Sequence, residues 1–260
     1  MRLNYDTFTG RRSAFVCVAA CLILLSWVAF AVFSRQLAEL LAPVLPGKAR
    51  LTAGLLLIQN GLVVVSILIA GLLTERKYTL KEKFGLTFEK GYSMQFLLPI
   101  FVLAMVVTFG VQIGLNALLK HVGHEPKEQS MVEFFRTLKP LAFMCFSMIT
   151  VIVAPIAEEL AFRHIFYRFV RVFLYKKEAA VVISLVFALI HVPIAKPAAG
   201  APFPWEVFVI PVVPLFVLAL FLQREYEHSH SIIPSVLIHA GFNLISVILL
   251  ALQVYYGVGD

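Results

Sequence analysis

The sequence predicts an all-α protein, a polytopic transmembrane helical bundle of about seven to eight membrane helices, organised as one membrane domain over residues 1–260. Three observations carry that class. Of the 260 residues, 60% are hydrophobic and only 14% are charged, against about 25% charged in an ordinary soluble domain. Seven apolar runs recur, at 13–34, 51–74, 93–119, 138–162, 179–194, 207–222 and 232–255, and most reach the ~20 residues a helix needs to cross the bilayer core. Several runs contain Gly, Pro or β-branched residues that would weaken a helix in water. In lipid the backbone must still satisfy itself, so a helix remains the available form.

Taken in order, the first run follows Arg2, Arg11 and Arg12. It outlasts the ~7–15 residues of a signal-peptide core and six more runs follow, so it reads as a retained helix. The stretch "FSRQLAELLAPVLPGKAR" (33–50) mixes polar and apolar residues and ends at Pro46–Gly47, which suits an interfacial helix or loop. The charged stretch "TERKYTLKEKFGLTFEKG" (74–91) reads as a solvated connection. Pro211 and Pro214 inside 207–222 predict a kinked or broken helix. Cys17, Cys21 and Cys145 fall inside apolar runs without paired spacing, the pattern of free, buried structural thiols.

The net charge of +7 is no nucleic-acid signal, because the basic residues lie in the connections between runs. Arg76, Lys77, Lys81, Lys83 and Lys90 fill the second connection, and Arg163, Arg168, Arg171, Lys176 and Lys177 fill the fourth. The intervening connections are less basic or more mixed. That alternation predicts a multi-pass protein of the cell membrane whose N-terminus, second and fourth connections face the cytoplasm. Its surroundings are membrane lipid.

Ionisable groups inside spans are costly and by default indicate function. Those that stand out are Glu158 and Glu159 in "PIAEELAFRHIF", His191 in "FALIH", and His239 with Asn243 in "HAGFN". His239 and Asn243 are four apart and share a helix face. Glu159 and Arg163 are also four apart, in the order that favours an ion pair. Glu158 points about 100° away from Glu159, without a partner on its own helix and so available for a proton. If the helices carrying Glu158 and His191 form a hairpin about the basic turn 171–177, their midpoint falls at 174.5, inside that turn. The carboxylate and the imidazole then lie at similar depth, and His239 approaches from the same side after the polar stretch 223–231.

Such a cluster suits hydrolysis. Glu158, helped by His191, would accept a proton from water. His239 and Asn243 would donate to the oxyanion of a tetrahedral intermediate. Glu158, His191 and His239 could instead hold Zn²⁺, which lowers the pKa of its bound water to about 7. The sequence leaves both versions of water activation open.

"EELAFR" resembles the Glu-Glu-x-x-x-Arg motif of the CAAX protease and bacteriocin-processing intramembrane proteases. "FALIH" is similar to their Phe-x-x-x-His motif and "HAGFN" to their His-x-x-x-Asn motif, in the family's order, over about residues 138–250. The resemblance implies the helical fold of the type II prenyl-protein endopeptidases and cleavage of a membrane-tethered or prenylated peptide by direct attack of water. It implies Glu158 and His191 as water activators and His239 and Asn243 as the oxyanion site. Glu159 and Arg163 match the remaining polar positions, and their charge pairing gives them a structural part. The family also holds bacteriocin-immunity proteins and non-catalytic scaffolds, which stand as the alternative function.

Other polar residues take blander readings. His121, His124, His228 and His230 lie in connections and are expected in solvent, and His164 at an interface or in solvent. Gln59, Asn60, Gln112 and Asn116 are expected to bond between helices, and Phe187 to pack beside His191. "GVGD" (257–260) has a Gly-x-Gly-Asp form but no helix behind it. A proton-relaying transporter is disfavoured, because no inverted repeat is detectable and the ionisable sites cluster in one half. The chain has no His-Glu-x-x-His and no Gly-x-Ser-x-Gly.

Overall fold

Residues 10–45, 47–74, 79–123, 134–192 and 205–256 are described by a computed structural model, and among them there are helices and turns but no strands. The first helix, α1, runs Gly10–Leu41, and α2 runs Lys48–Thr74. The expected separate interfacial segment after residue 33 is instead the last two turns of α1. "SRQLAELL" is rich in strong helix formers, and Arg35 Nε lies 3.2 Å from Glu39 Oε1 one turn on. Helix α1 gives way to turns only at residues 42–45, and Gly47, just before α2, takes φ +93°.

The charged connection contains one short helix, α3 (Leu80–Lys83), started by a capping box between Thr79 and Glu82. A 3₁₀ turn at Met94–Phe96 leads into α4 (Leu97–His121). Then come α5 (Pro140–Val170), α6 (Lys176–Ile190), α7 (Trp205–Ser229) and α8 (Ile232–Tyr256). Six of these are long and apolar enough to cross a membrane: α1, α2, α4, α5, α7 and α8. The remaining apolar run gives α6, whose 15 residues extend only ~22 Å, short of the ~30 Å core.

Helix α5 departs from regular geometry twice. Ile149–Val153 and Leu160–Phe166 are wide π-type turns that flank an α-helical piece, Ala154–Glu159, carrying Pro155. The second wide turn is buried along its whole length. It shares one buried core with Phe15, Ala19 and Ile23 of α1, Ile67 of α2 and Ile183 of α6. Alanines at these crossings (Ala19, Ala20, Ala70 and Ala161) let the helices approach closely. Helix α5 is thus the central post of the bundle.

Helix α7 stays helical through Pro211 and Pro214 rather than breaking. At membrane depth, carbonyls freed by proline are re-satisfied by local adjustment and neighbouring groups, and the helix persists. The cysteines are free, but they are not buried: Cys21 and Cys145 lie exposed on outer helix faces and Cys17 is half-buried. Asn60 Nδ2 donates to the Leu56 carbonyl of its own helix at 2.8 Å, not across helices. Arg2, Arg76, Lys77, His124 and the 257–260 tail lie outside the described residues.

Three connections meet at one end of the bundle. The Glu89 N–H donates to Ser229 O (2.8 Å) and the Ile232 N–H to Gly85 O (2.9 Å), which joins the α2–α4 connection to the α7–α8 turn. Lys176 Nζ at the α5–α6 turn lies 3.3 Å from Glu227 Oε2. Tyr92 OH, 3.4 Å from Glu225 Oε2, adds to this clasp. Burial, and then the adjacent Glu225 carboxylate, push the Tyr92 phenol up to about 12, so the tyrosine stays a donor.

His164 belongs to the same end and is buried, contrary to the expected interface or solvent position. Tyr226 OH and Arg168 Nη1 each lie 3.4 Å from its ring nitrogens, and Gly85 covers the ring. His228 is exposed, whereas His230 is half-buried and its Nδ1 lies 3.1 Å from Glu89 Oε2.

Candidate active site

Three helices deliver the polar residues. Glu158 and Glu159 end the α-helical piece of α5, and Arg163 lies in the wide turn that follows. His191 caps the C-terminus of α6. His239 and Asn243 lie one turn apart on α8. The hairpin of α5 and α6 turns at 171–175, as the midpoint of 158 and 191 requires. It brings His191 Nε2 to 3.6 Å from Glu158 Oε2, and α8 brings His239 Nε2 to 3.7 Å from the same oxygen.

The other ring nitrogens fix the tautomers. His191 Nδ1 lies 2.7 Å from the Phe187 carbonyl, four residues back. A carbonyl only accepts, so Nδ1 carries the hydrogen. His239 Nδ1 lies 3.0 Å from Glu159 Oε1, where the same reasoning applies to the carboxylate. With both Nδ1 hydrogens donated away, both Nε2 atoms present lone pairs toward Glu158 Oε2. Three acceptors facing one another need something shared between them: a donating water, a proton on one of the three, or a cation.

Glu159 has a different part from its neighbour. Its carboxylate is fully buried between His239 Nδ1 and Arg163 Nε, which lies 3.2 Å from Oε2. The Arg163 contact has ion-pair distance without hydrogen-bond alignment, and both Nη groups of this buried guanidinium lack a hydrogen-bond partner. Instead, Arg163 Cζ stands 4.5 Å over the Phe187 ring. Phe187 also has ring-centroid distances of 4.6 Å to His191 and 5.6 Å to His239. Reading Phe187 from sequence as mere packing beside His191 missed this hub. Its spacing of four from His191, which lets its carbonyl take the Nδ1 hydrogen, was the available signal.

Asn243 does not face the carboxylates through its known bond: its Nδ2 donates to the Thr150 carbonyl on α5 at 2.9 Å. The Glu158 side chain is 23% exposed and that of His191 30%, while His239 is 5% exposed. Glu158 and His191 are thus the partly exposed members of the cluster and His239 the deepest, although the Glu158 Oε2 atom is itself buried. Two imidazoles and a carboxylate are a chemically suitable zinc set. Among the described residues, however, no group of three His, Cys, Asp or Glu is spaced to hold a metal ion.

Fold and site together define a polytopic helical membrane protein with a glutamate–histidine centre inside its bundle. Residues 140–245 match the family model described as Type II CAAX prenyl endopeptidase Rce1-like. That segment runs from the start of α5 into α8, contains all three motifs, and agrees with the resemblance those motifs carry. No curated protein and no solved structure matched the chain.

Proposed function

We propose that the chain is an intramembrane endopeptidase that hydrolyses a peptide bond of a membrane-associated substrate with water activated by Glu158 and His191. The observation that carries this reading is the approach of His191 Nε2 and His239 Nε2 to within 3.7 Å of Glu158 Oε2, with both Nδ1 atoms engaged elsewhere. A water donating to Glu158 would lose a proton to the carboxylate as its oxygen attacks the peptide carbonyl carbon. The tetrahedral intermediate then collapses, and the proton passes to the leaving amine. His191 shares that proton and holds the water's orientation.

The charge balance supports this. Glu158 and Glu159 contribute two negative charges and Arg163 one positive, so one additional proton on the histidines makes the cluster neutral, as a low-dielectric site favours. His239, whose ring is oriented by Glu159 at Nδ1, is the group placed to face the oxyanion.

The test uses purified protein and a panel of membrane-tethered and prenylated peptides. Glu158→Ala and His191→Ala should each slow cleavage by at least ~10²-fold, and wild-type rates in both would end the assignment. Cleavage should survive treatment with a strong chelator; loss of activity, restored by added Zn²⁺, would favour the metal form. A scaffold or immunity role predicts that Glu158→Gln complements a deletion strain as well as wild type.

A further inference from the structure

The Thr150 carbonyl is the point at which the proline of α5 and the asparagine of α8 meet. In the wide turn at Ile149–Val153, the Ile149 carbonyl takes the N–H five residues ahead, that of Ala154, the pattern of a π-type turn. The next carbonyl, that of Thr150, would take the N–H of residue 155. That residue is proline and has none. The ordinary α-helical partner, Ala154, is already engaged with Ile149. The wide turn and the proline together leave this carbonyl without either helical partner within a membrane span, where no bulk water replaces them. Asn243 Nδ2 donates to that carbonyl at 2.9 Å.

We infer that Asn243 is a positioning residue: it caps the carbonyl that Pro155 leaves unpaired and so fixes the spacing between the helix of Glu158 and the helix of His239. The cap lies close to both groups along the chain. Pro155 is three residues before Glu158, and Asn243 is four after His239. A bond between the two helices at this level holds Glu158 Oε2 and His239 Nε2 at their 3.7 Å separation. The wide turn and the asparagine form one device, which lets the α5 backbone bend around Pro155 without losing register with α8. Its catalytic consequence rests on the hydrolase reading; the cap itself does not.

The test is a double-mutant cycle. Pro155→Ala returns an N–H at residue 155, and Asn243→Ala removes the cap. Wild type, both single variants and the double variant are compared by thermal midpoint in detergent and by kcat and KM on a tethered peptide. Asn243→Ala alone should lower the midpoint and reduce kcat by about tenfold to a hundredfold, with KM changed less than about twofold. Adding Pro155→Ala should restore most of both losses. Losses that simply add, with Pro155→Ala giving no rescue, would show that the amide acts on the reacting atoms or elsewhere and would overturn the proposal. A third variant guards against a Pro155→Ala variant that does not fold. Asn243→Leu keeps the shape but has no donor for the carbonyl, so its midpoint should fall as far as that of Asn243→Ala, and wild-type stability would also overturn the proposal. The midpoint readings need no substrate. Coupled midpoints with no cleavage of any peptide would count against the hydrolase reading and leave the cap standing.

Discussion

His239 Nδ1 lies 3.0 Å from Glu159 Oε1, although the two residues are 80 positions apart. The contact divides the adjacent glutamates by role. Glu159 faces inward to orient an imidazole and balance Arg163, and Glu158, partly exposed, meets the two Nε2 atoms. The 100° rotation between neighbouring positions on a helix makes the division.

The two glutamates should therefore fail differently. Glu159→Gln keeps an acceptor for the His239 Nδ1 hydrogen but takes away the carboxylate in contact with the buried Arg163, a loss of about 3–5 kcal/mol. Thermal unfolding in detergent should show a large drop. Glu158→Gln should unfold near the wild-type midpoint while kcat falls at least ~10²-fold. The opposite order of stabilities would undo the assignment.

Phe187→Leu removes the ring beneath Arg163 and beside both histidines but leaves the backbone carbonyl that holds His191. A desolvated cation–π contact of this kind stabilises by about 2 kcal/mol. The variant should lose roughly that stability and retain more activity than His191→Ala. Unfolding at the wild-type midpoint would mean that the stacking contributes nothing.

Gly85→Ala tests the clasp that covers His164. Gly85 has φ +62°, and an added Cβ would stand 2.5 Å from His164 Nδ1. Left-handed strain alone costs about 1–3 kcal/mol, so this variant should be destabilised. His164→Ala in the same chain should relieve the clash but not the strain, giving partial recovery. Full tolerance of Gly85→Ala would show that this turn does not rest on the ring.

His230 gives the clasp a pH dependence. Burial pushes the imidazole below its usual range, Glu89 and Glu227 oppose that shift, and Lys176 adds to it. A histidine whose folded pKa is depressed gives stability that is fully present above its unfolded value, about 6.5, and is lost as pH falls through the lower folded value. His230→Asn tolerates the φ of 55° at this position and does not titrate. Midpoints measured from pH 7.5 downward should fall less steeply in this variant than in wild type below about pH 6.5. Parallel profiles would remove His230 as the source.

Much of this arrangement was legible in the sequence because lipid simplifies the problem. Long apolar runs could only be helices, and few ionisable residues inside them needed explaining. The turn midway between Glu158 and His191 was readable by counting. The width of α5 was not: Pro155 signals a disturbance, but whether the helix breaks, kinks or widens depends on Asn243, 88 positions away along the chain. Helix α6 likewise reads as another crossing, since nothing local distinguishes an apolar helix that stops at His191 from one that continues. The helical run to Leu41 was hidden by its polar residues, which pair along the helix surface and do not end it.

The widened turn of α5 has one more effect, on tolerance to change. Every position from 159 through 167 is buried, so this stretch has no side turned to the acyl chains. An ordinary spanning helix accepts replacement at the positions of its outer stripe, in a rhythm of about 3.6 residues. Saturation mutagenesis across these nine neighbours should find the rhythm missing, with intolerance running unbroken until it reappears at Arg168.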